Sequence, residues 1–439
     1  MIDDGGKARF GDVTAAVRRL IHEVHAFHAQ KVLANLEGAV AAKKPHLRLL
    51  FRLTGLLASW PAANALMLAG VILFHPAFRK LEDGPLGFAF GLSGSNERSF
   101  ARLRGVLRSP EHLSVNGSPV SVADRLAVLA PLRSLRVMSR LLAAAAHSSP
   151  LVHVQSVIAC ATFMGYRAHR LPPSVQVVCV ANDHSPAYLG FLAAAKLQGL
   201  RTCYIQHAPV TEHFPPLSFD LSILYDRSSA QAYENIALAR GVAMPPVVLL
   251  SPYDTPFRRP GPVPVPMRVG VCLSLWPDRP GLVQLVQALS HHANVAAIVL
   301  RPHPRCRSTH SDLMGIGKVV LQPPGTSAAD YFGAVDLVLA PNSGVTVEAL
   351  HFGRPTFFTP KVDKVEADYY GFAKGGVVPV FEVDALDRPE RLHLFFEDAW
   401  LHRYAAFDET VHYSPEEARS LVASAFVRLL TPEARRAAS

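Results

Sequence analysis

The chain has 439 residues, 49% of them hydrophobic and 18% charged, too long for one core to keep growing and too apolar for disorder, so two globular domains are expected. Its formal charge of +9 sits in the first third, where residues 1–150 carry 19 Lys/Arg against 10 Asp/Glu while residues 151–439 carry 25 of each. No aromatic-interleaved basic run or zinc-finger spacing accompanies that charge, which excludes ordinary nucleic-acid binding and leaves an anionic membrane face or an anionic polysaccharide as its partner. The start MIDDGGKARF is acidic and polar, unlike a secretory signal, and the cysteines at 160, 179, 203, 272 and 306 show no pairing or metal spacing. A reduced cytoplasm is therefore the expected compartment.

Val13, Val17, Leu20, Ile21, Val24 and Phe27 recur at helical spacing, which predicts either a packed helix or, with Arg18 and Arg19, a basic amphipathic helix on a membrane. Leu53 to Phe74 is uncharged, with Arg48 and Arg52 before it and Arg79 and Lys80 after it. Its length approaches a membrane span, but Thr54, Ser59, Pro61 and Asn64 also suit a buried helical hairpin, a helix-turn-strand or a membrane-dipping segment. The run from Arg98 to Arg108 reads as a helix with a solvated basic face. Ser121 to Ala146 reads as helix broken at Pro131, and Pro150 to Tyr166 begins another apolar stretch.

Val175 to Val180 is a strand whose exit loop holds Asn182, Asp183 and His184; Ala187 to Leu197 is a helix ended by Gly199, and Thr202 to Ile205 is the next strand, left by Gln206 and His207. A strand-helix-strand crossover opens both loops on one sheet edge, so Asp183 and His207 are expected to share a cleft. Asp183 is a candidate general base or, alternatively, the cap of the following helix. Ser222 to Leu224 is a further strand and Ser228 to Gly241 a helix. Pro252 to Pro266 holds six prolines and reads as a semi-rigid connector.

Beyond it, Val269 to Leu273 predicts a strand followed by a loop at Ser274, Leu275, Trp276 and Pro277. Then come a helix from Gly281 to His291 and the strand Ala297 to Leu300, left through Arg301, Pro302, His303, Pro304 and Arg305. Val319 to Leu321, Leu337 to Ala340 and Pro355 to Phe358 complete five strands, with Gly353 as a helix stop. Asn342, Ser343 and Gly344 turn into a helix carrying Thr346 and Glu348. Helix-start N–H groups with the Ser343 and Thr346 hydroxyls suit phosphate oxygens, and Glu348 suits ribose hydroxyls. Open α/β sheets place ligands at such strand ends. Twenty histidines invite a metal reading, but no HExxH, Cys/His quartet or Asp-x-Asp occurs, so no metal site and no cofactor is expected.

The pair Arg301-Pro302-His303-Pro304 and Asn342 to Pro355 (NSGVTVEALHFGRP), with Gln206-His207-Ala208-Pro209 upstream, resembles the bacterial GT-B glycosyltransferases that include capsule polysialyltransferases and teichoic-acid glycerophosphate polymerases. The resemblance implies an α/β GT-B fold: two Rossmann-like domains facing a cleft, with a helical basic N-terminal extension. Its divisions would be a mainly helical region 1–150, an acceptor core 151–255, a linker 256–267, a donor-binding domain 268–410 and a C-terminal helix 411–439. It implies metal-independent transfer of a glycosyl or glycerophosphate unit from a CMP- or CDP-linked donor to a glycan or lipid-linked glycan at the inner membrane face. Asp183 or His207 would be the base, and Arg301, His303, Asn342, Ser343, Gly344, Thr346 and Glu348 would hold the nucleotide. Two other classes stand beside this one: a UDP-sugar transferase or UDP-sugar 2-epimerase of the same frame, and a non-catalytic glycan-binding module.

Overall fold

A computed structural model describes residues 10–28, 52–75, 79–80, 87–90, 94–107, 113–115, 118–169, 171–212, 214–274, 277–304, 306, 310–364, 367–388 and 392–430. The acidic start, Arg48, Leu275, Trp276, Arg305, Arg108 and the end of the tail, all named above, lie outside the described residues.

Two parallel sheets organise the chain. The first contains β1 (Gly87–Phe90), β2 (Ser114–Val115), β3 (Val177–Val180), β4 (Arg201–Ile205), β5 (Leu221–Leu224) and β6 (Val247–Leu249), in spatial order 2-1-3-4-5-6. The second contains β7 (Met267–Cys272), β8 (Val295–Arg301), β9 (Val319–Leu321), β10 (Leu337–Ala340) and β11 (Thr356–Phe358), in order 9-8-7-10-11. Every pairing in both sheets is parallel. These are two Rossmann-like units, as the resemblance led us to expect. The first 150 residues are not only helical, however: β1 and β2 lie beside β3 and belong to the first sheet.

Alternation along the strands assigns each sheet two apolar layers. Val178 and Val180 face a core shared with α1 (Phe10–His28), α2 (Pro61–Phe74), α4 (Val122–Leu129), α5 (Leu132–Ala144), α6 (Pro150–Ala168) and α7 (Pro186–Leu197). Val177 and Cys179 face the opposite core, with α3 (Gly94–Leu107) and α13 (Pro415–Leu430). The apolar stripe of α1, from Val13 to Phe27, is buried, so α1 is a packed helix and not a membrane-surface one. Pro131 does break the helix it interrupts, standing between α4 and α5.

The second sheet is wrapped by α9 (Arg279–His291), α10 (Ala328–Gly333), α11 (Val345–His351) and α12 (Asp398–Tyr404), leaving α8 (Arg227–Arg240) on the first. Gly199 and Gly353 take the positive φ values, 75° and 73°, expected of helix stops. Residues 250–266 join the sheets with neither helix nor strand. The last helix returns to the first domain, while α12 stays with the second, where Trp400 and Tyr404 are fully buried.

A polar clamp holds this crossover. His351 and Asp408 are 1% and 0% exposed, their Nδ1 and Oδ2 2.7 Å apart. His351 Nε2 lies 3.0 Å from the Thr255 hydroxyl, and Tyr253 stacks on its ring at 3.9 Å. Burial alone would raise Asp408, but hydrogen bonds from His351, Thr410 and Tyr404 and the His351 charge hold its carboxyl below the usual range. From the first domain, Arg227 pairs with Glu409 at 3.1 Å and the Ser228 N–H donates to the Ala406 carbonyl at 2.7 Å.

Helices α6 and α7 approach so closely that a Cβ on Gly190 would sit 2.1 Å from the Ala159 carbonyl oxygen. Gly190→Ala is therefore expected to destabilise the first domain by about 1–3 kcal/mol, the usual cost of overpacking. Urea unfolding measures it, and an unchanged midpoint would contradict this packing.

Candidate functional site

The carboxyl ends of both sheets carry the polar residues singled out in the sequence. Where β3 ends, Asn182 Oδ1 accepts from the backbone N–H groups of His184 at 3.1 Å and Ser185 at 2.6 Å, turning the chain into α7. Asn182 thus shapes the turn before α7, whose cap position is Ser185 with no side-chain bond, so Asp183 does not cap it. Asp183 is 5% exposed and has both oxygens engaged: Oδ2 accepts from the Tyr233 hydroxyl at 2.7 Å, and Oδ1 lies 2.7 Å from His184 Nδ1. Burial first, and the Asp183 charge second, push the Tyr233 phenol well up, so it remains a donor. The His184 ring is stacked by Phe27 of α1 at 4.5 Å and by Phe214 at 5.1 Å.

At the end of β4, Gln206 is wholly buried and fixes the next loop through every polar group it has. Its Oε1 accepts from the Tyr225 N–H at 2.8 Å, and its Nε2 donates to the Ala208 carbonyl and the Ser229 hydroxyl, each at 2.8 Å. Its own N–H donates to the Ile223 carbonyl at 2.9 Å, and its carbonyl accepts from Ser99 at 3.1 Å. His207 is presented from that fixed loop. Burial lowers its pKa below the usual histidine value of 6.5; the Asp183 charge and a hydrogen bond to the Ala181 backbone oppose this, and the His184 charge adds to it. Its Nδ1 is buried and has no hydrogen-bond partner. Asp183 and His207 therefore share one corner, as the crossover predicts.

The second wall is built at the ends of β8 and β10. The Arg301 guanidinium lies over the rings of Tyr331 and Phe332, at 5.0 and 5.4 Å, and 3.9 Å from the Glu348 carboxylate. Burial raises the Glu348 pKa while Arg301, Arg98 and His351 pull it back. His303 follows on the same strand exit, half-buried, its carbonyl accepting from the Cys306 N–H at 2.8 Å. Ser343 Oγ accepts from the Val345 N–H at 3.4 Å in the turn that starts α11.

Two members of the expected nucleotide set are occupied otherwise. Thr346 is 1% exposed and its hydroxyl lies inside, without a partner, not on the surface of the turn. The Asn342 amide donates to the Ala367 carbonyl and accepts from the Tyr370 N–H, which ties down the Tyr369-Tyr370 segment.

Contacts between the walls bring the two sets of strand exits together. Tyr369 lies 3.4 Å from the Thr211 hydroxyl. A Cβ on Gly344 would be 3.5 Å from Pro209. Arg98 of α3 is near enough to Glu348 to act on its charge, so the basic face of this helix is not merely solvated, and Arg102 lies 5.7 Å over the Tyr225 ring. Arg98, Tyr233, Phe27 and the engaged state of His184 were not legible as site features. Their only sequence signal is helical periodicity, which does not say which remote loop a helix meets.

No protein-family model matches the chain, and no curated protein sequence is similar to it. Solved structures with a similar arrangement exist. The calicheamicin glycosyltransferase CalG4 is 13% identical over 79% of this chain and 99% of its own, with a TM-score of 0.45. The glycotransferase of kitacinnamycin is 12% identical over 78% and 99%, at 0.47. MurG of Acinetobacter baumannii is 13% identical over 77% and 98%, at 0.41. Against the GtfA/B complex the likeness covers only 56% of the other chain, at a TM-score of 0.33.

Replacing Gln206 by Ala would take one hydrogen bond each from the Tyr225 N–H, the Ala208 carbonyl and the Ser229 hydroxyl, each such bond contributing about 0.5–1.5 kcal/mol. Gln206→Ala is expected to lower stability in urea unfolding by an amount in that range or above. A wild-type midpoint would show that the loop holding His207 is fixed by something else.

Proposed function

We propose that the protein is a nucleotide-dependent glycosyltransferase or glycerophosphotransferase, using a cytidine-linked donor and a glycan or lipid-linked glycan acceptor on the cytoplasmic side of the membrane. One observation supports the reading: His207, a histidine whose pKa burial lowers, follows β4 on one wall, and Arg301, a cation held over two aromatic rings, ends β8 on the other, with Pro209 and Gly344 close together between the walls. That is the pairing an acceptor hydroxyl and an anionic leaving group require.

In this reading the acceptor oxygen attacks the donor carbon or phosphorus and its proton passes to the His207 imidazole. The bond from that centre to the nucleotide phosphate breaks, and the nucleotide leaves with the bonding pair. Asp183, with both oxygens taken, acts as a positioning residue that orients His184. Arg301 meets the departing charge with His303 and Ser343 beside it, and its stacking on Tyr331 and Phe332 holds the guanidinium in place. Glu348, held near Arg301, is left to receive ribose hydroxyls. Gly344 and Asn342 serve by shaping the turn, and Thr346 by packing beneath it.

Binding of a nucleotide to the folded state raises its melting temperature by mass action. CMP or CDP is expected to stabilise the protein, and Arg301→Ala to abolish the response. Stabilisation by UDP alone would favour a UDP-sugar transferase or epimerase, and no response to CMP, CDP, UDP or GDP, with acceptor present, would favour the binding module. Because the His207 pKa lies below 6.5, the base is deprotonated at neutral pH. Transfer should stay level across neutrality and fall only as the pH drops through that lowered value and the ring takes a proton. His207→Gln should remove that limb and lower kcat by about 10²–10⁴-fold; an unchanged pH profile in the variant would exclude His207 as the base.

A further inference from the structure

Helix α2 is apolar on both faces: it buries Leu68 and Ile72 and exposes more of the same kind. In PAANALMLAGVILF the one polar side chain, Asn64, is 0% exposed, donating to the carbonyls of Ala58 and Trp60 and meeting His153 Nε2 at 2.8 Å. Its outer face is apolar: Leu66 is 75% and Phe74 84% exposed. The segment before it adds Leu53, Leu56 and Trp60, all exposed. α4 presents Val122, Ala123, Leu126 and Ala127 outward, and α5 continues with Leu132.

These exposed residues form one surface. α2 packs on α4, α5 and α6, and Arg125 of α4 donates to the carbonyls of Ile72, Leu73 and His75 at 2.9–3.1 Å, locking the two helices together at the end of α2. Scattered exposed leucines are normal on a soluble protein, but a run of this kind on adjoining helices marks an interaction surface. Its charge selects the partner. Arg133, Arg136 and Arg140 line the exposed face of α5, and Arg52 stands at the other end. Asp124, the one acid from 118 to 149, is half-buried with its carboxylate bonded to Ser121.

We infer that this face of α2, α4 and α5 docks on an anionic phospholipid surface. The apolar side chains enter the acyl boundary and the arginines meet the headgroup phosphates, the division of labour of a helix lying in the interface. The 14 residues of α2 span only about 21 Å at 1.5 Å each, short of the ~30 Å hydrocarbon core. Among the described residues no helix is long and apolar enough to cross a membrane. Residues 53–74 therefore form a short helical stretch and α2, and not the buried hairpin expected as one reading, since Leu56, Trp60, Leu66 and Phe74 are exposed. The inference stands without the transferase reading: it concerns a surface and not the cleft. It gives that reading a geometry, since α1, which reaches His184 through Phe27, also packs on α5.

Cosedimentation of the full chain with vesicles of phosphatidylcholine alone, and of equimolar phosphatidylcholine and phosphatidylglycerol, tests it. Binding is expected to the anionic vesicles and to weaken with salt. The double variant Leu66→Asp, Phe74→Asp should reduce it by about tenfold or more, and Arg133→Gln, Arg136→Gln, Arg140→Gln should reduce it on the anionic vesicles only. If the aspartate variant melts below the wild type, Val122→Ser with Leu126→Ser replaces it. No binding to the anionic vesicles, or binding that neither apolar variant diminishes, would overturn the inference. So would a lipid-free dimer, seen by analytical ultracentrifugation, that these variants dissolve, because the patch would then be covered by a second copy.

Discussion

A parallel sheet covered on both faces has no place for polar chemistry except at its strand ends, and this chain folds into two of them. The central strands are hydrophobic to both sides, so side-chain donors and acceptors collect in the exit loops. What makes the loops of two sheets into one site is the crossover. His351 closes α11 one turn beyond Glu348, and the buried bond from His351 to Asp408 fastens that helix to the chain on its way back to the first domain. The linker enters the same clamp through Thr255 and Tyr253. A buried ionic contact of this sort is poor evidence of net stability and better evidence of one specified geometry.

Within that frame the two walls are prepared differently. On the first, Gln206 spends its hydrogen bonds on the backbone and a hydroxyl, so the imidazole beside it is delivered from a fixed loop. Asp183 is equally committed, to Tyr233 and His184. On the second wall the fixed element is a cation, held by aromatic rings and a neighbouring carboxylate. Asn342 contributes at one remove: by tying down Tyr369 it supplies a contact to Thr211 across the cleft.

The strands that were legible are those with continuous apolar runs between turn residues: Val319–Leu321 and Leu337–Ala340 stand where the pattern puts them. Gly87–Phe90 and Val247–Leu249 were not, the first because a glycine and flanking polar segments blur a four-residue strand, the second because it is a short, half-exposed edge. Of the site, the loop positions were legible and the side-chain duties were not. Nothing local in Asn182-Asp183-His184 says which side chain makes the turn and which pairs with the histidine. Thr346 and Ser343 look alike as hydroxyls on a turn, and only the packing of α11 buries one of them. The apolar outer face of α2 likewise appears only when Asn64 is seen to have partners inside.

The central claim is that the exits of β4 and β10 close on one ligand space, with Pro209 against Gly344. Disulfide trapping addresses it most directly: in a Cys306→Ser background, Pro209→Cys and Gly344→Cys are introduced together and the protein is oxidised mildly. The account predicts rapid intramolecular cross-linking, seen as a mobility change without reductant, at the rate of a pre-formed contact. Two accessible thiols that stay unlinked in the folded protein would contradict it.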